Sequence, residues 1–428
     1  MKNRINLKLI ISLIIVTLMV YINDLGIYQI PPVIFIATIS IITFLLPLHE
    51  LFQFFFFMIP FSCSMHGGVF LPILICFILK SKKNNVYQFI FPIVIIIIEL
   101  FHFTSYSFET DFGNFGMYAI IILLFFIFLF KDDITNDDIK KSIQFYISGT
   151  VLALTSVVLI AIISYSFIDI FSGAYRIGGD VDSELTTGYT RMNANTLAYF
   201  VITAISLLLY TKEIFKNKII KILFLILLTI IGILSTSRTF ILLFALLVIF
   251  KVSLSNNIKE RISVILIGLT LIVSGYLIFP TYIESFTERY TKRFEEDGLK
   301  TAGGRSTLFQ DYNDFLLDNP ERLIYGTGVV HYKEVCKQRN SIHNGTQQIY
   351  VCYGIIGIII YLVVIVIFKR RYIKKSSNLR TQNFIPLFAC FLFDQSIQFL
   401  LPFVLMLPFV ASVLPLRLKD DIQTEQKV

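Results

Sequence analysis

His343 is the residue of this chain best placed for acid–base chemistry. It lies in Ser341-Ile342-His343-Asn344-Gly345-Thr346, directly before an apolar segment of helical length. An imidazole titrates near neutral pH without help from its surroundings, so a histidine at the mouth of a helix can take a proton from a hydroxyl group. A histidine that only caps or packs would have the same sequence context. We take His343 as the candidate general base.

An anion site is predicted upstream, at Gly303-Gly304-Arg305. Apolar residues recur at helical spacing from Leu308 to Leu316, which predicts an amphipathic helix that we expect to lie on the membrane surface. The start of a helix offers backbone N–H groups to a phosphate, glycines let that backbone approach closely, and arginine adds a bidentate donor. The alternative is a plain glycine turn with a solvated arginine.

Two further arginines stand where apolar segments begin. Arg191 opens Arg191-Met192-Asn193-Ala194-Asn195, and Arg238 follows Ser235-Thr236-Ser237 at a predicted hairpin tip. A charge this close to a membrane is costly unless it is paired or faces a cavity, and a guanidinium holds two phosphate oxygens better than an ammonium does. We favour ligand binding; the alternative is pairing with acidic residues of the preceding segment, Asp180, Asp182 and Glu184.

Other ionisable residues give weaker indications. Asp180-Val181-Asp182 has a spacing that can hold a metal ion, but an acidic loop produces this pattern readily, so we predict neither a metal nor another cofactor. Glu99, His102 and Asp394 fall within apolar segments. They either form part of a proton path or are buried groups hydrogen-bonded to neighbouring elements, and the second interpretation is favoured.

The composition shows which elements must position these residues. Of 428 residues, 56% are hydrophobic and 15% are charged, against about 25% charged in soluble domains. The mean hydropathy is +0.75, and the apolar residues form blocks of about twenty, the length that crosses a bilayer as a helix. A soluble enzyme, a disulfide scaffold, a disordered chain and a β-barrel are excluded. The sequence predicts an all-α polytopic membrane protein.

About 12–14 transmembrane helices fit the pattern of apolar blocks. Pro47, Pro60, Gly67 and Gly68 interrupt one region, so 47–79 forms either two short spans or a re-entrant hairpin. The last two predicted spans, within 383–416, are also separated by almost no connecting chain, so their number is open too. The predicted spans lie near 9–22, 30–46, 50–61, 68–79, 87–103, 115–130, 143–168, 192–210, 219–234, 237–250, 262–279, 347–368, 383–400 and 402–416.

The net charge of +8 is a topology signal. With the N-terminus inside, most lysines and arginines fall in inner segments, including the basic run that begins at Lys369, as the positive-inside rule requires. Both termini are then cytoplasmic. No basic patch remains for nucleic acid, and residues 280–346 (the long loop) lie outside.

The order of these motifs resembles the bacterial O-antigen polymerase and O-antigen ligase superfamily, which includes Wzy-type polymerases and lipid A-core ligases. The resemblance covers about residues 186–368 in motif and the whole chain in topology. The residues that carry it are Arg191-x-Asn193-x-Asn195, Ser235-x-Ser237-Arg238, Gly303-Gly304-Arg305-Ser306, Asn319-Pro320, Gly326-x-Gly328, His343-Asn344 and Gly354-Ile355-Ile356-Gly357.

The resemblance implies a GT-C-like membrane glycosyltransferase of the bacterial cytoplasmic membrane that works without a metal. Its donor would be an undecaprenyl-pyrophosphate-linked oligosaccharide, and its product an O-antigen, capsular polysaccharide or exopolysaccharide. His343 and Arg305 match the catalytic histidine and arginine of the loop, whereas Arg191 and Arg238 match the arginines at the span mouths. Gly303 and Gly304 are assigned to the pyrophosphate, and Asn193, Asn195 and Asn344 to the substrate. The partners that this implies are the lipid bilayer and, from the same pathway, a chain-length regulator and a flippase.

Three functions are compatible with the sequence. The chain is either a repeat-unit polymerase, which we favour, or an O-antigen ligase-type transferase; a flippase for lipid-linked oligosaccharide is the candidate from another class. We divide the chain into N-terminal transmembrane helices (1–185), a polymerase/ligase-like core (186–368), and a basic cytoplasmic loop followed by the last two helices and the tail (369–428).

The topology gives the first testable prediction. Single cysteines in 280–346 should react with a membrane-impermeant maleimide in intact cells, and those in 369–382 only after permeabilisation, because the basic run holds the latter inside. The existing cysteines would be replaced first. Labelling near Lys300 that required permeabilisation would contradict the assignment.

Overall fold

The computed structural model is helical throughout the residues that it describes. These are 7–82, 84–105, 112–132, 134–165, 193–211, 214–235, 237–255, 305–338, 340–372, 378–395, 399–400 and 405–418, with isolated positions elsewhere. No β-strand occurs among them. The all-α architecture predicted from the sequence is confirmed.

The described residues form α-helices and a few short 3₁₀ segments. The 3₁₀ segments lie at Ile59–Cys63, Gly67–Val69 and Leu414–Arg417. The helices are α1 (Leu7–Asp24), α2 (Pro32–Leu45), α3 (Leu48–Met58), α4 (Phe70–Lys80), α5 (Tyr87–Ser105), α6 (Phe112–Leu129), α7 (Asn136–Ser164), α8 (Ala194–Tyr210), α9 (Lys218–Leu234), α10 (Arg238–Leu254), α11 (Arg305–Asp318), α12 (Arg322–Tyr325), α13 (Tyr332–Val335), α14 (Gly345–Tyr372), α15 (Asn378–Asp394) and α16 (Met406–Ser412).

Five of the described helices are long and apolar enough to cross a membrane: α1, α5, α6, α7 and α14. Shorter apolar helices accompany them, among them α2 and α8. Many large apolar side chains on these helices are exposed, for example Phe44 at 75% and Leu79 at 78%. Such surfaces suit lipid rather than water. The chain is a multi-pass membrane protein.

Helices α3 and α7 form the packed interior of the N-terminal part. Every residue of α3 from Glu50 to Met58 is buried, and Gly149 of α7 lies against the backbone of Phe57, where a Cβ atom would overlap the carbonyl. Small residues allow this close approach of two helices in a membrane protein. Phe55 stacks on Phe128 of α6 with ring centroids 3.8 Å apart, which ties α6 to the same interior.

Helix α14 is broken at Gly354, and this kink organises the end of the long loop. Gly354 has φ 60° and ψ −154°, a conformation that favours glycine. The kink opens the carbonyls of Val351 and Cys352. Thr327 donates its backbone N–H to both, at 3.0 and 3.1 Å, and Gly328 donates to Cys352 at 2.8 Å. The loop after α12 is therefore docked on the interrupted helix.

The predicted span 383–400 and the helix predicted after Gly304 are both present, with differences in detail. The predicted span 383–400 is wrong at its end, because α15 stops at Asp394 and side chains of α14 hold the chain that follows. Helix α11 is present as predicted, but Tyr312 and Leu316 of its apolar face are fully buried. The Tyr312 hydroxyl also donates to the carbonyl of Asn340 at 2.8 Å. Tyr312 and Leu316 therefore pack on protein, whereas Phe309 of the same face is 46% exposed. The position of α11 on the membrane surface stays a prediction.

A substitution at the kink tests this arrangement. A Cβ atom on Gly354 would lie 2.5 Å from the carbonyl carbon and oxygen of Ile324, in a backbone conformation that costs about 1–3 kcal/mol for other residues. Gly354→Ala should therefore lower the thermal unfolding temperature in detergent. Gly116→Ala is the matched control, since nothing lies within 4 Å of its Cβ position. Equal unfolding temperatures for the two variants would contradict the kink.

Candidate functional site

His343 stands between two anchored neighbours at the start of α14. The preceding residue, Ile342, donates its N–H to the hydroxyl of Tyr332 at 3.3 Å. The following residue, Asn344, accepts the N–H of Gln347 at 2.8 Å with its side-chain oxygen, as an N-cap residue does. His343 itself is half-buried. Its backbone is therefore fixed on both sides, as a catalytic group requires.

The first turn of α14 holds the chain that follows α15. Thr346 donates its hydroxyl to the Gln395 side chain at 2.9 Å, and the Asn344 amide donates to the Gln395 carbonyl at 3.4 Å. One turn further on, the side-chain oxygen of buried Gln348 accepts the backbone N–H groups of Phe399 and Leu400, at 2.9 and 2.7 Å. These bonds satisfy backbone that has left the helix, which explains why α15 ends early.

Arg238 lies in a second group of predicted residues. It is the first residue of α10, and Ser237 caps this helix by accepting the N–H of Phe240. The Ser237 hydroxyl also donates to the side-chain oxygen of Asn195 at 3.2 Å. Asn193 caps α8 by accepting the N–H of Thr196 at 2.8 Å. The starts of α8 and α10 are therefore adjacent, and Arg238 is half-buried beside them.

Both groups contact the same end of α15. Phe393 lies against Tyr199 of α8, with ring centroids 5.1 Å apart, and buried Asp394 lies beside the same tyrosine. On the other side, a Cβ atom on Gly345 would be 3.0 Å from the carbonyl oxygen of Asp394. The end of α15 thus links the helix that follows His343 to the helix that carries Asn195.

Arg305 begins α11, the helix start that the sequence predicted. Helix α11 is tied to α14, because the Gln347 amide donates to the carbonyl of Phe309 at 2.9 Å and to the side chain of Asn313 at 3.4 Å. The helix that carries Arg305 is therefore bonded to the first turn of the helix that follows His343. Arg191, Gly303, Gly304 and Asp180-Val181-Asp182 lie outside the described residues.

Three of the predicted site residues have structural hydrogen bonds. The side-chain oxygens of Asn193 and Asn344 cap helices, and that of Asn195 binds Ser237. Their assignment to the substrate stays a prediction. Sequence reasoning missed Tyr332, Gln348 and Gln395, which lie at the same place. In the sequence these residues stand out only because they are close to His343 or Asp394. Polar residues near a helix start are too common to indicate a site.

Burial raises the pKa of two groups in the long loop. One is Tyr332, whose hydroxyl accepts the Ile342 N–H and is protonated at neutral pH. The other is the Cys336 thiol, whose pKa burial raises to about 12. Because thiolate is the nucleophilic form, this shift argues against Cys336 as a nucleophile. Within the described part of the chain, no group of three His, Cys, Asp or Glu side chains is arranged to hold a metal ion.

Comparison with known families gives a match over part of the chain. Residues 222–362 match the family model Wzy_C, described as O-antigen ligase. The matched segment contains most of α9, all of α10 and the long loop, and most of α14, with Arg238, Arg305 and His343. It confirms the resemblance to the O-antigen ligase and polymerase superfamily. No curated protein and no solved structure matches the chain.

Members of this family are glycosyl-transferring membrane enzymes. The match covers about a third of the 428 residues. Arg191, Asn193 and Asn195 precede the matched segment.

Proposed function

We propose that this protein polymerises oligosaccharide repeat units carried on undecaprenyl pyrophosphate, at the outer face of the bacterial cytoplasmic membrane. The observation that carries the proposal is the family match over 222–362. That segment holds Arg238 and Arg305, each at the start of a helix, and His343, whose neighbours are both anchored. These are the residue types that transfer from a pyrophosphate requires.

In the proposed reaction, a hydroxyl oxygen of the acceptor sugar attacks the anomeric carbon of the donor. The bond from that carbon to the pyrophosphate oxygen breaks, and the lipid pyrophosphate leaves with the electron pair. His343 takes the proton of the attacking hydroxyl. Arg305, Arg191 and Arg238 bind the pyrophosphate and stabilise the charge that develops on it. The donor is already activated, so the reaction needs no nucleotide.

An apolar cavity of about 330 Å³ supports a lipid-linked donor. Its α14 wall runs from Ile349 to Lys369, about 30 Å at 1.5 Å per helical residue. The lining is mostly aliphatic and aromatic, which suits part of an isoprenoid chain. Since Ile349 lies one to two turns after His343, a lipid in this cavity could bring its pyrophosphate near the loop.

The description of the matched family, O-antigen ligase, favours a second candidate, an O-antigen ligase-type transferase. The chemistry at the donor is the same, and only the acceptor differs. A polymerase accepts another lipid-linked glycan and forms a ladder of products, whereas a ligase passes the glycan to a different acceptor in one step. Product analysis with lipid-linked repeat units as sole substrate separates the two.

The arginines are tested by charge-conserving substitution. Arg305→Ala and Arg191→Ala should abolish product, and Arg305→Lys and Arg191→Lys should restore little, because an ammonium cannot replace the bidentate guanidinium. The assay is ladder formation by purified protein in detergent. Arg370→Lys is the control, an exposed residue at the basic end of α14. Full activity in the lysine variants of Arg305 and Arg191 would show that charge alone suffices.

His343 is tested in the same assay. His343→Ala should cut glycan transfer by about 10²–10⁴-fold, the usual effect of losing an acid–base group, while the protein remains folded and still binds the donor. His343→Gln should be nearly as inactive, because an amide keeps a hydrogen bond but cannot accept the proton.

The matched control is His49→Ala. His49 is an exposed residue of α3, outside the long loop and the helices that hold it. This variant should keep most of its activity. Wild-type ladders from His343→Gln would remove His343 from the mechanism and leave the arginines as its only catalytic groups.

A further inference from the structure

The carboxylate of Glu99 binds the backbone of the long loop. Glu99 is in α5, is only 1% exposed, and is separated by 230 residues from the loop that it contacts. Val329 donates its N–H to both carboxylate oxygens, at 2.8 and 3.0 Å, and Val330 donates at 2.9 Å. This bonding confirms the interpretation of Glu99 as a buried, hydrogen-bonded group.

A third donor connects the same carboxylate to α14. The hydroxyl of Tyr353 donates to Glu99 at 3.1 Å and is also bonded to the hydroxyl of Tyr118 in α6. Tyr353 directly precedes the kink at Gly354. The carboxylate thus joins three parts of the protein: α5, the loop end and the kinked region of α14.

The loop backbone lies directly on α5 around this carboxylate. Gly328 has φ +79°, and a Cβ atom there would be 2.7 Å from the Cβ of His102 and 3.3 Å from a Glu99 oxygen. One turn along α5 from Glu99, the Nε2 atom of His102 lies 2.9 Å from the carbonyl oxygen of Tyr325. Only glycine fits at 328 without moving the loop away from Glu99.

A short path leads from this contact to His343. Tyr332 follows Val330 by two residues and is fully buried. Its hydroxyl accepts the N–H of Ile342, the neighbour of His343. A displacement of 329–330 would therefore move Tyr332 and, with it, the backbone that presents the histidine.

We propose that Glu99 is a positioning residue for glycosyl transfer. Its carboxylate fixes residues 326–330 on α5 and α14, and Tyr332 passes this constraint to His343. The inference rests on the proposed role of His343, but the contact between Glu99 and the loop can be measured separately. In the proposed reaction Glu99 does not contact the substrate, so its substitution should change turnover more than donor binding.

The test is Glu99→Gln in the full-length protein. A carboxylate offers only acceptors, whereas the glutamine amide turns an NH₂ group toward at least one of the three donors. Losing a hydrogen bond to a charged group costs about 10–100-fold in the equilibrium that it supports. We therefore expect amide exchange in 326–344 to be about 10-fold faster or more, kcat to fall about 10–100-fold, and KM for the lipid-linked donor to change less than about twofold.

Two further variants separate positioning from general stability. Gln88→Ala removes a buried side chain at the other end of α5, where its amide donates to the carbonyl of Ile127 at 3.1 Å. It should lower thermal stability without changing loop exchange or kcat. Glu99→Asp keeps the charge and should recover part of kcat. If Glu99→Gln does not fold, Tyr353→Phe removes one donor and should give a smaller change, about 2–10-fold.

Three results would overturn the inference. The first is a loss of kcat while exchange in 326–344 stays unchanged. The second is faster loop exchange with unchanged kcat. The third is faster exchange spread over the whole of α5 and α14, which would make Glu99 a stabiliser of the fold only. If the wild type shows no glycan transfer, the proposed function fails, and loop exchange in Glu99→Gln still decides whether this residue fixes the loop.

Discussion

Backbone groups that leave a helix within a membrane protein must find partners, because lipid offers none. In this chain the kink at Gly354 opens carbonyls of Val351 and Cys352, and the turn at Gly326-Thr327-Gly328 supplies the N–H groups that bind them. Each partner is thereby satisfied by the other. Glycines are required on both sides of the contact: a Cβ atom on Gly326 would overlap the Cys352 carbonyl, and one on Gly354 would be 2.5 Å from that of Ile324. The other contacts at the end of the long loop depend on this contact between 326–328 and α14.

The same requirement shapes the candidate site. Gln348 binds the N–H groups that follow the end of α15, and Asn344, Asn193 and Ser237 cap helices. The starts of α8, α10 and α14 therefore present fixed backbone next to the end of α15. Helix starts carry partial positive charge, which favours an anionic ligand when arginines are nearby. In the proposed reaction, this preorganisation stabilises the leaving pyrophosphate.

Much of the fold could be predicted from the sequence, because hydropathy and capping are local. The predicted span 237–250 corresponds to α10 at Arg238–Leu254, and the helix after Gly304 begins at Arg305. The partners of Glu99 could not be predicted, since they lie 230 residues away and a carboxylate in an apolar segment carries no sign of what it binds. The early end of α15 was missed for the same reason: the bonds that hold Phe399 and Leu400 come from Gln348. His343 was identifiable because it directly precedes an apolar segment, and its anchoring by Tyr332 became visible only in the structure.

The central claim, that this protein transfers glycan from a lipid pyrophosphate, is tested most directly by reconstitution. Wild-type protein would be placed in liposomes with an undecaprenyl-pyrophosphate-linked repeat unit, and free undecaprenyl pyrophosphate would be measured together with glycan length. One lipid pyrophosphate should be released for each repeat unit added. Movement of intact lipid-linked glycan across the bilayer, with no lipid pyrophosphate released and no longer glycan formed, would contradict it and identify a flippase instead.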